Sequence, residues 1–231
     1  MSQTAVGAFV TEPASAHPQR DPSSRRRFLR SLGGAGAIGA LVSACGGEDQ
    51  GPAADREAVA EGAVGRDLDI VNYALTLEFL EADLYDAAVE SDLLSGRALE
   101  YAREFGETER EHASVLTTVA SQLGGAVDAP RTDFSAVLTD ADTLLRVLAD
   151  LENVGAAAYL GQAPRVQSRQ ILASALAIHT VEARHAAALN ELIGRGFQEN
   201  APLRGSVPTG AFARPMSMGE VMSIVERYIV S

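Results

Sequence analysis

Two short stretches pair a glutamate with a histidine three residues on: EREH at 109–112 and EARH at 182–185. A helix turns 100° per residue, so each pair stacks one turn apart on nearly the same face. That face is apolar. Measured from Glu182, the side chains of Ile171, Ala175, Ile178, Leu189 and Ile193 all project within about 40°. Glu109 shares its stripe in the same way with Ala102, Phe105, Leu116, Ala120 and Leu123. A lone carboxylate in such a place is expensive and has to be paired, protonated or bound to metal.

Two more glutamates lie on apolar stripes. Glu78 aligns with Val71, Ala74, Ala82 and Val89, and Glu152 with Leu145, Leu148 and Ala156. Each is followed seven residues later, on the same face, by a tyrosine: Tyr85 and Tyr159. The offsets repeat, at 74 for the Glu78/Glu152 and Tyr85/Tyr159 pairs and 73 for the Glu109/Glu182 and His112/His185 pairs. This is an internal duplication that carries its chemistry at equivalent places. Four carboxylates and two neutral imidazoles sum to four negative charges, which two divalent cations cancel. Mixed oxygen and nitrogen donors suit Fe first and Mn next, allow Zn, and disfavour Ca and Mg.

Other residues near the stripes carry secondary expectations. Glu81, one turn from Glu78, is a rival ligand or a group that faces a ligand or substrate; its equivalent in the second half is Gly155. His179, one turn before Glu182, is read either as a proton relay or ligand support or as a satisfied half-buried histidine. Tyr85 and Tyr159 are either redox-active or hydrogen-bonded packing groups. Gly155 and the alanines at 156–158 leave room beside Glu152 for oxygen or peroxide, or else allow close helix packing. The alternative for the six donors, a set of buried ion pairs, is disfavoured because Arg110 and Arg184 point off the stripe.

These residues have to be held by helices, and the chain provides them. Helical periodicity covers 67–90, 96–124, 141–162 and 165–194, with Gly124-Gly125 and Pro164 as breakers. The short gaps make the first and last pairs antiparallel hairpins, and the long gap 125–140 can cross the length of a bundle. The expectation is an all-α four-helix bundle over 67–195 and a C-terminal extension over 196–231. In the extension, Ser217 and Glu220 form a capping-box pattern before a short helix.

The order Glu, Glu-x-x-His, Glu, Glu-x-x-His resembles the dinuclear carboxylate site of the ferritin-like superfamily, which includes bacterioferritins and rubrerythrins. ALTLEFLEADLY, ENVGAAAYLG and VEARHAAALNELIG, with the ending PMSMGEVMSIVERYIV, resemble more closely the exported ferritin-like domain proteins, some of them called desiccation-related. The resemblance covers roughly residues 67–230. It implies a ferritin-like bundle in which Glu109 and Glu182 bridge two metals, His112 and His185 bind one each, and Glu78 and Glu152 are terminal ligands. It also implies oxidation of Fe²⁺ or reduction of O₂ or H₂O₂. A metal-stapled structural or stress-protective protein is the alternative.

The first 45 residues read as an address. SSRRRFLR (23–30) precedes a short Gly-rich apolar run, too short to span a membrane. Ser24–Arg30 resembles a twin-arginine export motif, and Val42-Ser43-Ala44-Cys45 resembles a lipobox with Cys45 as the lipidated residue. These imply the twin-arginine machinery as a partner and a lipid anchor at the outer face of the cytoplasmic membrane. Residues 46–66 read as a flexible tether.

Composition excludes several classes. The sole cysteine rules out an internal disulfide and a cysteine-based zinc site. All 19 basic residues are Arg, against 31 acidic ones, a net charge of −12. Removal of residues 1–45 leaves 14 Arg against 29 acidic residues, or −15. That balance excludes a phosphate-binding face and nucleic acid as a partner. A lipid anchor and a C-terminal extension are awkward in a storage cage, so a monomer or small homo-oligomer is expected.

Overall fold

The computed structural model describes residues 53–197, 203–205, 208 and 210–230, with side chains from Gly62 onward. The export motif and Cys45 lie outside the described residues.

Four long helices form where the apolar periodicity places them: α1 (Ala53–Glu90), α2 (Gly96–Leu123), α3 (Ala141–Gln162) and α4 (Arg169–Leu192). A short helix, α5 (Met218–Val225), follows in the C-terminal segment. Helix α1 starts well before Asp67, so from Ala53 onward the tether reading gives way to helix. The segment AADREAVAE is rich in Ala and Glu, both strong helix formers. It extends a helix already nucleated by packing downstream, which spares it the cost of its own first turn.

Local chemistry sets the other ends. After α2, the N–H groups of Gly124 and Gly125 both donate to the Ala120 carbonyl, at 3.1 and 2.9 Å. Gly124 has φ +145°, which only glycine adopts freely. Asp140 caps α3 by accepting from the Thr143 N–H at 2.8 Å. Ser217 and Glu220 form the expected reciprocal capping box on α5.

Helix α4 begins at Arg169, later than the periodicity suggested, because Ala163–Arg165 forms a 3-10 turn around Pro164. Asp67 of α1 holds this connection. It is 3% exposed and accepts from the N–H groups of Gln167 and Ser168, each at 2.8 Å. Asp67→Ala would strand both donors and is expected to cost about 2–3 kcal/mol in chemical denaturation. An unchanged midpoint would mean that solvent replaces the carboxylate.

Two clusters of apolar side chains make the core. One contains Val71, Leu75, Leu116, Val119, Tyr159 and Ile178; the other contains Leu80, Leu84, Leu144, Leu148, Leu189 and Val225. On α2 and α4 the candidate ligands fall between residues of the two clusters, whereas Glu152 on α3 lies among residues of the second.

The crossover and the C-terminal segment meet in the only pairing of strands among the described residues. Arg131–Thr132 (β1) pairs antiparallel with Ile229–Val230 (β2). Phe134 is buried against Tyr228, with ring centroids 5.7 Å apart. The segment also docks on α3, where the Met216 N–H donates to the Ala157 carbonyl at 3.0 Å. Gly161 permits this, since a Cβ there would sit 1.8 Å from the Met216 carbonyl oxygen. No described helix is long and apolar enough to cross a membrane.

Candidate metal centre

Glu78 on α1, Glu109 on α2, Glu152 on α3 and Glu182 on α4 meet in the middle of the bundle, each 0–1% exposed. His112 and His185 complete the cluster. Two groups of donor atoms form, each drawn together within 4.8 Å. One is Glu78, Glu109, His112 and Glu182; the other is Glu109, Glu152, Glu182 and His185. Glu109 and Glu182 belong to both.

The atoms converge more than they bond to one another. His112 Nδ1 lies 2.8 Å from Glu109 Oε2, 3.1 Å from Glu78 Oε2 and 3.3 Å from Glu182 Oε1. His185 Nδ1 lies 2.9 Å from Glu109 Oε1 and 3.3 Å from Glu152 Oε1. Yet Glu109 Oε1, His185 Nδ1, Glu152 Oε2 and both oxygens of Glu182 are buried with no aligned hydrogen bond. His112 Nδ1 hydrogen-bonds Glu109 and Glu78, while the remaining oxygens and His185 Nδ1 stand close together without a bond between them. Unpartnered buried oxygens beside imidazole nitrogens are a donor set that a divalent metal ion fits.

Without metal, protons take the place of the cations. Burial pushes Glu78 up to about 7, and Glu152 and Glu182 are raised for the same reason. Glu109 is also buried, but the hydrogen bond from His112 and the close approach of the His185 imidazole outweigh this and hold it down at about 2. Burial works against charge on the histidines too. The surrounding carboxylates override it, bringing His185 to about 9 and His112 well above its ordinary value.

The two tyrosines exchange partners across the duplication. The Tyr85 hydroxyl of α1 donates to Glu152 Oε1 of α3, and the Tyr159 hydroxyl of α3 donates to Glu78 Oε1 of α1. Each orients the carboxylate in the other half. His179 is half-buried and bonds through Nδ1 to the Ala156 carbonyl at 2.9 Å, tying α4 to α3.

The duplication breaks at Glu81 and Gly155. Glu81 is 5% exposed, and its carboxylate stands over Gly155. A Cβ on Gly155 would come 3.0 Å from Glu81 Oε1 and 2.8 Å from Glu182 Oε2. The room at Gly155 is therefore taken by two carboxylates and is not open beside Glu152. Burial first, then Glu182, raises the Glu81 carboxyl well above its usual range. Gly155→Ala is expected to displace Glu182 and weaken metal binding about tenfold in a chelator competition, with the fold retained. Wild-type affinity in this variant would show that the close approach is incidental.

Phe105 is a participant that helix phase alone did not single out. Its ring stacks on the His185 imidazole, with centroids 3.8 Å apart and planes 14° apart, and Tyr101 stacks behind it at 5.0 Å. The equivalent position in the other half is Ile178, so only one histidine carries an aromatic lid.

Fold and site together define a helical bundle with a carboxylate–histidine cluster at its centre. The chain belongs to the ferritin-like domain family, whose family model matches residues 66–195. No curated protein matches the chain.

Proposed function

We propose that this chain is a dinuclear metal protein of oxidoreductase type. In this reading Glu109 and Glu182 would be shared by two ions of Fe or Mn. Glu78 and His112 complete one site, and Glu152 and His185 the other. The observation that carries the reading is the sharing of Glu109 and Glu182 by two groups of buried, convergent donors. When bound, such a pair would supply the two electrons needed to reduce O₂ with two protons to H₂O₂, or H₂O₂ with two protons to two waters. Tyr85 and Tyr159 hold the terminal carboxylates in place by donating to them. Phe105 keeps the His185 ring from turning.

The export motif, the lipobox and Cys45 support placing the activity at the outer face of the cytoplasmic membrane. A twin-arginine route moves folded proteins and suits a domain loaded with metal before export.

Elemental analysis of the protein purified without chelator tests the assignment. Two Fe or Mn per chain are expected, with consumption of O₂ or H₂O₂ after reduction. A folded protein that binds no stoichiometric metal would end the redox reading. A second reading, a metal staple in a structural or stress-protective protein, is favoured by the near-complete burial of the glutamates, since structural metal sites tend to be closed. Metal-dependent melting without turnover of Fe²⁺, O₂ or H₂O₂ would select it.

A further inference from the structure

Beside the metal-ligand cluster lies a cavity that none of its residues needs. All four helices line it, and its volume is about 30 Å³. Ala74, Leu116 and Tyr159 are among the residues that line it. Ala74 is one helical turn from Glu78, Leu116 is one turn from His112, and the Tyr159 hydroxyl itself donates to Glu78. The lining therefore includes neighbours of the side chains that would hold one of the two metals. It also includes Val166 and Ile171, half-buried residues where α3 turns into α4.

The lining is almost wholly hydrocarbon. The hydroxyls of Ser174 and Tyr159 already donate elsewhere. The Gln162 amide oxygen accepts from Arg165 at 3.1 Å, and the Tyr73 hydroxyl is buried without a partner. A resident water needs two to four polar partners, and apolar cavities of this kind stay dry and take up apolar guests. Hydrogen peroxide, with two donors and two acceptors, is as poorly served here as water.

We propose that this cavity is a binding site for a small apolar molecule, and that the molecule is dioxygen on its way to the metal centre. The proposal rests on the redox reading above and chooses between its two oxidants. It also assigns the route to the apolar space between the helix ends, since Glu81 and Glu182 fill the room at Gly155.

Xenon tests the site without any metal or turnover. Crystals of the metal-free protein are pressurised with xenon, and anomalous scattering locates the gas. Wild-type protein is expected to hold xenon between Val119 and Tyr159. Val119→Leu and Ala175→Leu, which fill the cavity from two different helices, should exclude it; either variant suffices if the other fails to fold. In the Fe²⁺-loaded protein, stopped-flow oxidation by O₂ is expected to slow about tenfold in the filled variants. Oxidation by H₂O₂ should keep its wild-type rate. Absence of xenon from the wild-type cavity overturns the proposal whatever the protein's activity. Xenon binding with unchanged O₂ kinetics in the filled variants overturns the route and leaves the redox reading intact. Xenon binding in a metal-loaded protein that consumes no O₂ overturns the redox reading and the dioxygen assignment together, and leaves a gas site.

Discussion

Glu109→Gln and Glu182→Gln are expected to abolish dinuclear metal binding alike, yet to move the stability of the metal-free protein in opposite directions. The two residues are equivalents in the duplication, and both are shared by the two donor groups. Their electrostatic positions differ. Glu109 is held ionised by a hydrogen bond from His112 and by the His185 imidazole close beside it, so its neutral amide would leave two buried cationic rings short of an anion. Breaking a buried pair in this way costs about 3–5 kcal/mol. Glu182 has neither oxygen in an aligned hydrogen bond, and burial followed by Glu109, Glu78 and Glu152 pushes its carboxyl well up. Its amide removes a repulsive group and should leave the metal-free fold as stable as wild type or more so. Urea unfolding in the presence of chelator checks the pair, and isothermal titration with Fe²⁺ or Mn²⁺ checks binding. Equal destabilisation by both variants would refute the asymmetric proton sharing described above. Retention of two metals by either variant would refute the bridging role.

The six donors were legible in the sequence for a specific reason. A charged residue at the centre of an apolar stripe is visible from periodicity alone, and the constant offset of 73 or 74 rules out coincidence. The helix stops at Gly124-Gly125 and Pro164 and the cap at Ser217 were legible because they are local chemistry. What stayed hidden depends on how separate helices are rotated and spaced. Glu81 could be ranked against Glu78 but not placed, because its position over Gly155 depends on the distance between α1 and α3. The tyrosines were on the correct face, but the exchange of partners between halves emerges only when the duplicates are superposed in space. Phe105 was read as one apolar residue among several, since its stacking on His185 joins α2 to α4. Asp67 looked like a helix start, while its work is done 100 residues away. The early start of α1 escaped because its first turns carry no apolar stripe to count.

The response to pH is expected to reverse when metal binds. In the metal-free protein His185 titrates at about 9 instead of 6.5, and Glu78 at about 7 instead of 4.5. The raised histidine contributes stability that is fully present below 6.5 and is lost as pH rises through 9. The raised glutamate likewise makes the fold less stable as pH climbs from 4.5 to 7, because the folded state must then bury a charge or retain a proton. Both slopes have the same sign, so the metal-free protein should lose stability steadily from about pH 5 to pH 9. Glu109, held at about 2, acts only below 4.5, where its protonation removes stability and sets the acid limit. Metal binding needs ionised carboxylates and neutral imidazoles, so the same protons compete with the cations and are released as they bind. Affinity therefore rises with pH over the window in which the metal-free fold weakens. At free metal a hundredfold above its dissociation constant the stabilisation is about 2.7 kcal/mol, or roughly 5–10 °C in Tm for a chain of this size. That shift is expected to be small at pH 5 and largest near pH 8. Differential scanning calorimetry with chelator and with Mn²⁺, at pH 5, 6.5 and 8, separates the two slopes. A metal-free Tm that rises between pH 5 and 8, or a metal-induced shift independent of pH, would show that the buried cluster does not hold the protons assigned to it.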